Sequence, residues 1–132
     1  MDQEPLVNEQ IEAGRKFIDE FDKYIPVRAA FWLKADEDSG WYLHVASDQI
    51  TDENIDVAYG DVAKAFRTIN DPNLDVFQVK LISTNDPFAR AALDLYERSK
   101  ARVPIHIRGR SFGGMGVEGA YVYPPVVAAV SK

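Results

Sequence analysis

Apolar and polar positions along the chain repeat with two periods, and each period marks a type of element. Between residues 6 and 25, Val7, Gln10, Ile11, Gly14, Phe17, Ile18, Phe21 and Ile25 fall mostly at steps of three and four. That spacing draws one apolar stripe along a helix, which Pro26 ends. Gly14 sits inside the stripe. A glycine there weakens the helix by up to ~1 kcal/mol relative to Ala, so it implies the close approach of a neighbouring element. Residues 27–35 change to a period of two. Val27, Ala29, Phe31, Leu33 and Ala35 alternate with Arg28, Ala30, Trp32 and Lys34, which predicts a strand. The polar turn 36–40 joins it to a second strand over 41–47, giving a hairpin.

Helical spacing returns over 53–69 through Ile55, Ala58, Tyr59, Val62, Ala63, Phe66 and Ile69, with Thr51 or Asp52 as N-cap. Asn70-Asp71-Pro72-Asn73 terminates this helix, and 74–83 reads as a third strand. Asp86 and Pro87 then supply an N-cap and a first helical residue for a third helix running to about Lys100. Residues 104–108 form a fourth strand. Gly109 to Gly116 is a glycine-rich turn, and 117–123 is the last strand, stopped by Pro124-Pro125. Residues 124–132 read as an irregular tail. The expectation is a single α+β domain over 1–132, in the order α-β-β-α-β-α-β-β. Its sheet would be five-stranded and mainly antiparallel, with about three helices on one face.

Strand parity extends this to a surface. If the apolar phase of each strand faces the helices, the other phase carries Arg28, Trp32, Lys34, Tyr42, His44, Lys80, His106, Arg108, Arg110, Tyr121 and Tyr123. That set contains no acid. Long polar and aromatic side chains also cover ordinary solvated sheets. Trp, Tyr and Arg are nevertheless the side chains that anchor interfaces. The binding-face candidates are therefore Trp32, Tyr42, His44, His106, Arg108, Arg110, Tyr121 and Tyr123.

Charge sharpens the picture. The net charge is −6, which argues against a general nucleic-acid binder. Yet residues 1–26 hold a balance of −4 and residues 100–132 one of +4. The absence of cysteine excludes a thiolate nucleophile, disulfides and Cys-based metal sites. The acidic start lacks the basic segment and apolar core of a signal peptide. The longest apolar run, 123–130, is far shorter than the ~20 residues that span a bilayer. These features suggest a cytoplasmic protein without membrane contact.

Candidate chemistry is sparse. His44 and His106 are candidates to meet across the sheet and share a metal or a proton. No HxH, HxxxH or HExxH pattern accompanies them, so they read first as surface histidines. The 109–116 loop has the glycines of a phosphate cradle, flanked by Arg108 and Arg110. It precedes a strand rather than a helix and matches neither GxGxxG nor Walker A, so it reads as a hairpin connection. Ser47, Ser83 and Ser111 lie in no GxSxG elbow. The acids of 36–38 and 48–56 lack calcium-loop spacing. No catalytic residue, metal ligand or cofactor is assigned.

Three segments, 30–33 (AFWL), 41–47 (WYLHVAS) and 117–123 (VEGAYVY), resemble the recurring strands of a family of small bacterial α+β proteins of uncharacterised function. The likeness runs from residue 15 onward. It implies a stand-alone bacterial cytosolic domain and carries over no activity. The function expected from the sequence is a non-enzymatic interaction module, using the basic, aromatic sheet face for self-association as a homodimer or for binding a protein partner. The alternatives are a domain binding single-stranded nucleic acid or an anionic small ligand, and an enzyme centred on His44 and His106.

Overall fold

The computed structural model describes residues 6–98, 102–109 and 111–125. Lys100, Arg110 and residues 126–132 lie outside them. Helix α1 spans Asn8–Phe21 and buries Ala13, Gly14, Phe17, Ile18 and Phe21, the stripe its spacing predicts. Strands β1 (Ala29–Lys34) and β2 (Tyr42–Ser47) form the expected hairpin. Helix α2 (Ile55–Ile69) starts at Asn54, later than expected. Thr51 and Asn54 hydrogen-bond each other's backbone amides, which holds the turn before the helix. Asn70 ends α2 in the left-handed region at φ 47°, a conformation that Asn tolerates better than most residues.

Strand β3 is Val79–Ser83, and α3 is Pro87–Arg98. Asp86 caps α3 by accepting from the Phe88 amide at 2.8 Å. Strand β4 is Ile105–Arg108. The glycine-rich segment is itself a two-stranded hairpin, β5 (Ser111–Phe112) and β6 (Met115–Gly116). Gly113 and Gly114 make its turn at φ 65° and 82°, a geometry glycine adopts at no steric cost. Strand β7 (Gly119–Val122) completes the main sheet.

The five-stranded sheet has the order β3-β2-β1-β7-β4. Three of its four pairings are antiparallel; β2 and β3 are parallel, so the sheet is mixed. The parallel pair follows from chain path. Helix α2 lies between β2 and β3 and returns the chain to the same end of the sheet. The expectation that the helices share one face holds for α1 and α2; α3 packs on the other. One cluster joins α1 and α2 to Ala30, Trp32, Leu43, Val45, Val79 and Leu81. A second joins α3 and Phe112 to Ala29, Phe31, Leu33, Ala46, Ala120 and Val122. The reason is again chain path: β3 and β4 are the two outermost strands, and α3 must carry the chain from one to the other. Strand β1 is consequently buried at all six positions.

Candidate functional site

Coverage of the sheet is diagonal. On the α1–α2 face, the buried cluster uses residues of β3, β2 and β1, and β4 contributes nothing to it. On the α3 face, buried residues come from β1, β7 and β2, with Ile105 and Ile107 of β4 packed against them. Two corners stay open as a result. One lies on β4 and β7 beside α1. The other lies on β2 and β3 beside the start of α3.

The expected single outer face is thereby divided. Parity within each strand is as the sequence indicates, but successive strands send their polar phase to different sides. Trp32, Tyr121, Tyr123, His106 and Arg108 lie on the α1–α2 face, since Trp32 pairs Tyr121 and Tyr121 pairs His106. Tyr42, His44 and Lys80 lie on the α3 face, opposite in phase to Leu43, Val45, Val79 and Leu81. Arg110 falls outside the described residues. Strands β2 and β4 have two strands between them, so His44 and His106 are separated by three strand spacings, roughly 14 Å, and by the thickness of the sheet. The two histidines do not meet. Among the described residues no three His, Asp or Glu gather around a metal-sized space.

Trp32, Tyr123, Lys34 and Arg28 have structural partners. Trp32 is fully buried and donates its indole N–H to the Tyr123 hydroxyl at 2.8 Å. That hydroxyl donates in turn to the Ile11 carbonyl at 2.7 Å. Burial pushes the Tyr123 phenol well above its ordinary pKa, so it remains a donor throughout the working pH range. Lys34 is 7% exposed, and its ammonium holds the β1–β2 turn by donating to the carbonyls of Glu37 and Ser39. Arg28 pairs with Asp48 at 2.6 Å. Phe77 lies within the segment 74–83 that reads as a strand, yet it is 84% exposed, because residues 76–78 form a 3-10 turn before β3 begins.

The β4–β7 corner retains an exposed cation, Arg108, beside an exposed imidazole, His106. His106 and Arg108 are exposed and neighbour each other on one side of β4. His106 meets Tyr121 edge-on, with ring centroids 5.8 Å apart, and Tyr121 meets Tyr123 in the same way at 5.3 Å. Partial burial, and then Arg108, lower the His106 pKa below its ordinary value. Burial raises that of Tyr121, and both Arg15 and Glu12 of α1 act on it. Arg15 and Glu12 are thus both part of the corner. The signal of Arg15 in the sequence was its place one residue beyond Gly14, at the edge of the α1 stripe.

The second corner is more enclosed. His44 stacks flat on Phe31, at 5.2 Å and 5° between ring planes, and its Nδ1 lies 3.3 Å from the Tyr42 carbonyl. Burial lowers its pKa, with Lys80 adding to that and Asp86 opposing it. The Lys80 ammonium sits 4.7 Å above the Tyr42 ring. Its cation is therefore shared with an aromatic of its own chain.

No protein-family model, curated protein or solved structure matches the chain. Among the described residues, no helix is long and apolar enough to cross a membrane.

Proposed function

We propose that this protein is an interaction module that holds an acidic protein partner at the β4–β7 corner. The observation that carries this reading is the exposure of His106 and Arg108, side by side on the outermost strand, next to the half-buried Tyr121, with Arg15 and Glu12 of α1 nearby. A ring that offers its edge beside a guanidinium suits an interface anchor. Residues 102–109 contain Arg102, His106 and Arg108 and no acid, although the whole chain is acidic. An acidic partner is steered to such a patch, and binding weakens as salt screens the charges.

The test is titration of the protein with polyglutamate, which is unstructured at neutral pH, and with polylysine as control. Binding of polyglutamate that weakens with salt and falls about tenfold in Arg108→Glu supports the reading. Equal binding by the variant removes it.

A further inference from the structure

The two outer strands of the sheet end in different ways. Strand β3 is closed by the protein's own groups. The Tyr59 hydroxyl of α2 accepts the Leu81 amide at 2.9 Å, and the Val79 amide is taken by the Val76 carbonyl. Strand β4 has no such cover among the described residues. Its pairing to β7 runs Ile105 to Val122, His106 to Tyr121, Ile107 to Ala120 and Arg108 to Gly119. The next pair outward, Gly109 to Glu118, is joined by a 2.9 Å hydrogen bond. In an antiparallel ladder the bonded positions alternate. Ile105, Ile107 and Gly109 therefore turn their backbone groups toward β7. His106 and Arg108 turn theirs away from it, to the open edge.

The residues with outward backbone groups are thus the same two whose side chains make the basic corner. We infer that the β4 edge binds an extended peptide strand whose side chains alternate between acidic and apolar. This rests on the reading of the corner as the binding surface and names the form of the partner. Two amides and two carbonyls, two residues apart, offer about 6.7 Å of ladder to an incoming strand. On one face of that strand, acidic side chains meet Arg108 and His106. On the other face they lie alongside Ile105 and Ile107. There a groove of about 690 Å³ opens between α3 and the β5–β6 hairpin, lined by Ala91, Leu95, Ile107 and Phe112 and also by Arg90, Asp94 and Glu97. The apolar part of that groove, at Ile107 and Phe112, takes the apolar side chains.

The experiment uses an acetylated, amidated peptide alternating Glu and Val, its Lys–Val counterpart, and two N-methylated versions of the Glu–Val peptide. One is methylated at every Glu and the other at every Val. Binding is read by fluorescence anisotropy. The Glu–Val peptide is expected to bind, and the Lys–Val peptide at least about tenfold more weakly. One methylated phase is expected to lose binding and the other to keep it, since only alternate amides of an added strand face β4. Arg108→Glu, an exposed substitution whose fold is checked by circular dichroism, should cost about tenfold. Equal effects of both methylated phases, or no effect of Arg108→Glu, would overturn the inference. If the Glu–Val peptide fails while polyglutamate binds in an Arg108-dependent way, the strand proposal falls and the corner reading stands. If neither binds, both fall. A dimer in light scattering that the peptide cannot dissociate assigns the edge to a second copy and overturns the inference.

Discussion

Replacing Gly14 with Ala tests the central packing of the fold. A Cβ at this position would lie 2.3 Å from the Tyr123 hydroxyl oxygen and 3.1 Å from the Trp32 indole nitrogen. Elsewhere in a helix the change stabilises by up to ~1 kcal/mol. Here the hydroxyl cannot move without loss, because it joins Trp32 to the Ile11 carbonyl and the ring is 5% exposed. Overpacking costs about 1–3 kcal/mol, and two strained buried hydrogen bonds about 1 kcal/mol each. Against the helical gain, Gly14→Ala should destabilise the protein by about 2–4 kcal/mol. The assay is urea unfolding followed by tryptophan fluorescence, with the slope unchanged. Tyr123→Phe removes the obstacle, and it also leaves the Trp32 N–H and Ile11 carbonyl unpaired, at about 1–3 kcal/mol. The double variant should therefore be more stable than the sum of the two single losses, with a coupling of at least about 1 kcal/mol. A stabilised Gly14→Ala variant, or strict additivity, would refute the Gly14–Tyr123–Trp32 contact.

Two further outcomes follow from the structure. Tyr59→Phe removes the cap on the Leu81 amide, so exchange of that amide should quicken several-fold with a stability loss of about 1 kcal/mol or less; unchanged exchange would show that the edge is not capped this way. His44 resists protonation because it is desolvated, whereas in the unfolded chain it takes a proton near its ordinary value of 6.5. The unfolded state then binds more protons as pH falls below 6.5, so stability declines in that direction, and His44→Gln should flatten the decline between pH 7 and 5. His106 is shifted the same way, and its contribution would remain in the variant. The lowered Asp36, Asp48 and Asp71 titrate below this range. An identical pH profile for the variant would show that His44 is not the source.

Elements with strong local signals were legible in the sequence. Asp86-Pro87 marks the start of α3 because capping and a fixed φ are local effects. The α1 stripe and the β1–β2 hairpin are legible for the same reason. Long-range placement was not. Strand β1 shows polarity only at Lys34, which is buried with its charge satisfied by loop carbonyls. A strand covered on both faces loses the alternation that tells inside from outside. The side taken by α3 depends on where β3 and β4 lie in the sheet, and no local pattern encodes that. Tyr42, His44 and Lys80 were therefore assigned correct phases on an incorrect common face.

The same chain path explains why the two edges differ. Strand β3 follows α2, so Tyr59 on that helix is positioned to close its outer side. Strand β4 follows α3, which lies across the sheet on the other face, and it leads directly into the tight β5–β6 hairpin. Among the described residues no element therefore passes outside β4. Sheet edges left in this way are commonly guarded by charge, which opposes pairing with another copy of the same chain. Arg108 serves that purpose here, because two such edges brought together would set their two guanidiniums on neighbouring strands. The guard is selective by its sign: it repels a like edge and attracts an acidic one. If the edge binds an acidic strand as proposed, this single guanidinium both opposes a like edge and favours that strand, so Arg108→Glu should weaken acidic partners and admit basic ones.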